Sequence, residues 1–143
     1  MLVDDRRNRT QDIVNKLLTE RQEMLALFCR VAGLDPFNSK PDLDVLQEFC
    51  EVLVDYSAFG HFEIYERIVD GLERRKRVVE VAREVYPRIA EASEVAVEFN
   101  DKYDSSDHTL DMSHLGQDLG KLGEELAMRI EMEDRIVEAL VAR

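Results

Sequence analysis

Apolar residues recur every three or four positions through four long stretches of this chain, and in each the phase holds long enough to predict a helix. From about Thr10 to Ala32 the stripe reads Val14, Leu17, Leu18, Met24, Leu25, Phe28, Val31 and Ala32. Gly33 stands where a left-handed residue would end that helix, and Pro36 prevents its continuing. The turn-rich run to Pro41 leads to Asp42, a candidate N-cap for a second helix with Leu43, Leu46, Cys50 and Leu53 on its inner stripe. Phe49, Val52 and Tyr56 widen that stripe, and glycine at Gly60 predicts a left-handed cap and a change of direction. A further segment carries Phe62, Tyr65, Ile68, Val69 and Leu72.

The third long stripe runs Val78, Ala82, Val85, Ile89, Ala92, Val95, Ala96, Phe99 and Tyr103, with a kink or break expected near Val85 because Pro87 lacks an amide proton. Asp104, Ser105, Ser106 and Asp107 form a turn-and-cap cluster. The last helix carries Leu115, Leu119, Leu122, Leu126, Ile130, Val137 and Leu140. These stripes predict an all-α fold, an antiparallel four-helix-type bundle whose second helical unit is interrupted near Gly60, built as one domain over residues 1–143.

Two charges sit where this pattern calls for hydrophobes. Arg21 lies one heptad from both Val14 and Phe28, and Glu133 fills the gap between Ile130 and Val137. An arginine on an apolar seam either snorkels its head to water or turns inward to a carboxylate. Asp55 and Tyr56 fall within a turn of Leu53. An unpaired charge inside a bundle costs several kcal/mol, roughly, so the expectation is an interior polar cluster of Arg21, Asp55 and Glu133 in which one carboxylate pairs the arginine.

Charge narrows the function classes. The net charge of −12 disfavours nucleic acid and anionic membrane surfaces as partners and favours a basic protein. Residues 73 to 90 reverse the sign, with six bases against three acids, so the acidic chain has one basic stripe. No apolar run approaches the roughly 20 residues of a membrane span, and no apolar signal core follows the N-terminal charges. Cys29 and Cys50 lie on apolar faces and suit a reducing, cytoplasmic setting.

Chemistry is sparse. The chain lacks a Gly-rich phosphate loop, a nucleophile elbow and the paired Glu-x-x-His motifs of di-metal bundles, so no catalytic residue, cofactor or metal is assigned. Asp107, His108, Asp111 and His114 offer a metal-like spacing, but acids at a helix start also serve the helix dipole. Polar and aromatic groups crowd instead between Leu53 and Ile68, where Asp55, Tyr56, His61, Glu63, Tyr65, Glu66 and Arg67 are interleaved with Phe59 and Phe62.

That stretch, Phe49 to Ile68, FCEVLVDYSAFGHFEIYERI, resembles the signature segment of the regulator of sigma D family (Rsd/AlgQ), approximately FC-xx-LVDY-x-x-x-GHF-x-IYE. The likeness continues at Leu25 to Pro36, at Tyr86-Pro87, at Tyr103 to Ser106 and at Leu122 to Asp134. The resemblance implies a bacterial, non-enzymatic anti-sigma factor. Such a protein binds region 4 of the primary, sigma-70 class sigma factor, blocks its −35 promoter and core RNA polymerase contacts, and favours alternative sigma factors in stationary phase. It also implies partner-binding roles for Asp55, Tyr56, His61, Phe62, Tyr65, Glu66 and Arg67, and the existence of a protein antagonist. Glu63, at the motif's variable position, joins them as a carboxylate able to pair the partner's arginines. Region 4 is basic, so an acidic binder suits it. The competing reading from the residues alone is a small-molecule- or metal-binding bundle using the interior polar cluster.

Overall fold

A computed structural model describes residues 2–33, 43–104 and 110–142, and among these the chain is helical with no strand. Helix α1 spans Leu2–Ala32, α2 Leu43–Gly60, α3 Glu66–Val69, α4 Lys76–Tyr103 and α5 Leu115–Val141. Between α2 and α3 the residues His61–Tyr65 form a single π-helical turn. Asp42, Ser105, Ser106, Asp107 and the whole turn run after Gly33 lie outside the described residues.

The four long helices pack in a ring, each antiparallel to its neighbours. Phe28 meets Phe49 and Lys16 lies over Phe59, which runs α1 against α2 in opposite directions. Phe49 meets Phe99 and Tyr65 meets Tyr86, so α4 descends beside α2 and the turns that follow it. Arg88 pairs with Glu125 and Lys102 with Asp118, setting α5 antiparallel to α4. Arg21 reaches Glu133, and an added Cβ at Gly123 would touch Phe28, which closes the ring between α5 and α1.

The core follows the predicted stripes except at Leu25, Leu43, Phe62 and Leu72, which are exposed; in α1 it is Leu27, not Leu25, that continues the spacing from Met24 to Val31. Val14, Leu17, Met24 and Val31 of α1 face Leu46, Phe49 and Leu53 of α2, Val85, Ile89 and Phe99 of α4, and Leu122, Leu126 and Ile136 of α5. Each such burial is worth about 1.5–3 kcal/mol, so the apolar contacts drive assembly. Cys50 is buried and Cys29 half-buried, both as free thiols, and burial pushes the Cys50 thiol up to about 11.

Three boundaries differ from expectation. Helix α1 begins at Leu2, because no glycine or proline interrupts residues 2 to 9. Helix α4 continues through Pro87; the missing amide removes one hydrogen bond without ending a helix whose apolar face is packed along its length. Gly60 does not adopt a left-handed cap. Its φ of −59° and ψ of −45° are helical, and the chain turns instead at Gly71, where φ is 78°. Gly33 does take the left-handed conformation, with φ of 70°.

Candidate partner-binding site and the polar cluster behind it

The π-helical turn decides which way the motif faces. Tyr56 and Tyr65 are nine residues apart, and in an unbroken α-helix that spacing puts them on opposite sides, about 180° apart. A π turn absorbs one extra residue, so the two tyrosines behave like an eight-residue pair, about 80° apart. The Glu66 amide, bonding back to the His61 carbonyl, closes the wide turn. Both tyrosines therefore point inward, 0% and 2% exposed.

Their hydroxyls meet at Glu133. Tyr56 donates to Glu133 Oε1 and Tyr65 to Glu133 Oε2, each at 2.5 Å. Arg21 Nη1 donates to Glu133 Oε1 at 3.4 Å and to Asp134 Oδ1 at 2.7 Å. Arg129 completes the group: only 1% exposed, it sets Nε 3.6 Å from Glu133 Oε2 and lays its guanidinium 4.9 Å from the Tyr56 ring centroid. Its Nη1 donates to Ser93 Oγ at 2.9 Å. Two cations thus face two carboxylates, and both Glu133 oxygens accept hydrogen bonds, the condition under which a buried charge is tolerated.

Electrostatics within the cluster follow from this packing. Burial works against the Arg129 charge, but Tyr65, Tyr56 and Glu133 outweigh it, and its pKa is raised. Burial, reinforced by the neighbouring Glu133 charge, pushes both tyrosine pKa values well up, so the phenols remain protonated donors. Burial also opposes the Arg21 charge, yet the bond to Asp134 and the charge of Glu133 raise its pKa.

Gly60 explains itself here. A Cβ at this position would stand 3.0 Å from Arg129 Nη2 and 3.1 Å from the Tyr65 ring, so the glycine provides room rather than a turn. The buried guanidinium lies directly beneath the motif.

The sequence-assigned residues divide sharply. Arg21 and Glu133 share the cluster, whereas Asp55 is exposed on the outer side of α2, because Leu53 and Tyr56 occupy the inward positions of that turn. Tyr56 and Tyr65, assigned to a partner, are sealed inside and brace the fold. Asp55, His61, Phe62 and Glu63 are exposed, and Phe62 at 59% carries a large aromatic surface into water beside the His61 ring, 4.8 Å away. Glu66 is half-buried. Arg67 is exposed at the end of the bundle, where it lines a crevice with Arg9, Arg74 and Arg75. Arg75 there donates to the Leu140 carbonyl at 2.6 Å, which gives the basic run Arg74 to Arg77 a structural use at the C-terminal end of α5.

Arg129 was missed by the sequence reading, although a signal exists: Leu122, Leu126, Arg129, Glu133, Ile136 and Leu140 keep the three-and-four spacing without a gap. Ile130, credited with that position, is only half-buried. Of the metal-like spacing, Asp107 and His108 lie outside the described residues. Asp111 accepts from the Ser113 amide and hydroxyl, at 3.0 and 2.7 Å, and the hydroxyl and amide hold its carboxyl below the usual range. Among the described residues no group of three or more His, Cys, Asp or Glu side chains is disposed to hold a metal ion, and no helix is long and apolar enough to cross a membrane.

Comparison with known proteins identifies the family. The family model described as regulator of RNA polymerase sigma(70) subunit, Rsd/AlgQ, matches residues 2–141. A regulator of sigma D from Yersinia enterocolitica is 29% identical over 134 residues, covering 90% of this chain and 80% of that protein. Its counterpart in Escherichia coli is 30% identical over 133 residues, covering 87% and 81%. With nearly its whole length matched and its signature segment in place over a buried arginine and glutamate, the chain belongs to the Rsd/AlgQ family of regulators of the RNA polymerase sigma(70) subunit.

Proposed function

We propose that this protein is a non-enzymatic, cytoplasmic anti-sigma factor that holds region 4 of the primary sigma factor. In that complex the −35 promoter and core polymerase contacts of region 4 are blocked, and alternative sigma factors gain access to polymerase in stationary phase. The observation that carries this reading is Phe62. It is an aromatic side chain 59% exposed on the π-helical turn, flanked by the exposed carboxylates of Asp55 and Glu63. Aromatic anchors with a charged surround are the usual hot spots of protein interfaces, and the acidic setting suits a basic DNA-binding module.

Within this reading the motif has two jobs. Asp55, His61, Phe62 and Glu63 touch the partner, with Glu66 and Arg67 at the margin. Tyr56 and Tyr65 hold the turn in place through Glu133. Co-purification with the full primary sigma factor and with isolated region 4 tests it. Binding to both is expected, weakening as salt rises. No binding to either at micromolar concentration and low salt overturns the reading.

A further inference from the structure

We propose that the contact surface continues from α2 across a groove onto α4, and that this groove receives an aliphatic side chain from a basic helix of the partner. The identity of that partner rests on the sigma region 4 reading; the groove and its charge do not.

The groove, about 330 Å³, has Val54, Ser57, Ala58 and His61 on its α2 side and Val97 and Asn100 on its α4 side. Val54 is 43% and Val97 57% exposed. Exposed valines scattered singly need no explanation, but two lining one depression make an apolar patch. Ser57 Oγ on its α2 side is buried without a hydrogen-bond partner, a group that calls for an explanation. Ser57 and Ala58 keep the α2 wall low, so the depression is open to a side chain from outside.

Charge selects the occupant. Glu94 and Asp101 stand one turn before and after Val97, and Glu51 one turn before Val54, with Asp55 beside it. All four carboxylates are exposed, and none takes part in an ion pair among the described residues. Lys102, adjacent in sequence to Asp101, is drawn to Asp118 at 2.7 Å. An apolar socket rimmed by unneutralised acids fits a helix that presents Leu, Ile or Val between lysines or arginines. A second copy of this chain would bring further negative charge to the same rim. The groove adjoins the motif through His61, so one partner helix spans both.

The test measures binding of Val97→Arg and Ala58→Phe to isolated sigma region 4, with far-UV circular dichroism and thermal melting as controls of fold. Both fill the groove from opposite walls at positions outside the buried cluster. Each is expected to weaken binding about tenfold or more with its melting unchanged. Wild-type-like affinity in both overturns the groove while leaving the anti-sigma reading intact. Failure of the wild type to bind region 4 overturns the reading and the named occupant together. Should either variant lose its fold, amide hydrogen exchange of the wild type decides: residues 93 to 101 gain protection on adding region 4 if the groove is filled, and unchanged exchange there overturns it.

Discussion

Phe62 and Tyr65 are two aromatic residues three positions apart on the same helical turn, and they meet opposite fates. Tyr65 is 2% exposed with its hydroxyl on Glu133; Phe62 is 59% exposed beside His61. The comparison extends to their surroundings. The inner face of the motif, Tyr56, Gly60 and Tyr65, closes over a charge-balanced cluster, while the outer face, Asp55, His61, Phe62 and Glu63, offers uncommitted acid and aromatic surface. One segment therefore serves as keystone and, in the proposed function, as contact, and the π-helical turn assigns each residue its side. Polar residues in a signature motif need not all point at the partner.

The largest effect on this comparison comes from the inner face. Glu133→Ala leaves Arg129 buried opposite no carboxylate and strips both tyrosine hydroxyls of their acceptor. A loss of about 3–5 kcal/mol in denaturant unfolding is expected. The paired replacement Arg129→Met with Glu133→Leu should recover only the part of that loss due to the uncompensated Arg129 charge, because both tyrosine hydroxyls stay buried without their acceptor. A cost below about 1 kcal/mol for the single variant, the range of surface pairs, would show that the cluster is not the brace.

The outer face should respond in the opposite sense. Phe62→Ala is expected to weaken region 4 binding about tenfold or more, measured by titration calorimetry, while stability stays within about 0.5 kcal/mol of wild type.

Gly60→Ala sharpens the boundary between the faces. Helical φ and ψ at Gly60 mean that alanine brings no backbone strain, and helix propensity alone would stabilise by about 0.8–1 kcal/mol. The added Cβ would press on Arg129 Nη2 at 3.0 Å, and that guanidinium is held by Ser93 and Glu133. A net destabilisation of about 1 kcal/mol is therefore expected in denaturant unfolding. A more stable variant would mean that the cluster yields.

The smallest effect belongs to the far end of the bundle and serves as a control. Hydrogen bonds from Lys102 and then Tyr103 hold the Asp118 carboxyl below its ordinary range. A depressed carboxylate stabilises the fold above its unfolded pKa, about 3.9, and that contribution is lost as pH falls through the lower folded value. Thermal melting of Asp118→Asn followed below about pH 4 should show a shallower acid decline than wild type, with binding by the motif face unchanged at neutral pH.

How much of this was legible in the sequence follows from which signals are periodic. The four stripes repeat over many turns, so the all-α bundle, the seam positions of Arg21 and Glu133 and the left-handed Gly33 could be read directly. The π turn could not. It adds one residue without an apolar or glycine signature of its own, and every phase drawn from Gly60 onward is then off by one position. The spacing put Phe62 on the same apolar stripe as Tyr65, and the partner role of Tyr65 came from the family resemblance, which does not say which way a side chain faces. Gly60 looked like a cap because sequence cannot distinguish a glycine needed for its φ from one needed for its missing Cβ. Arg129 was overlooked because Ile130, its apolar neighbour, took the seam position by chemical type, although the Leu126 to Glu133 spacing pointed to Arg129. The motif's division into inner and outer faces became readable only once these phases were set.

The central claim is that binding and bracing are carried by separate faces of one helical turn. Its most direct test is the affinity of Phe62→Ala for isolated sigma region 4, measured on the same preparation as its unfolding free energy. The account predicts a drop of about tenfold or more in affinity with stability unchanged. Affinity equal to wild type in a fully folded variant would contradict it.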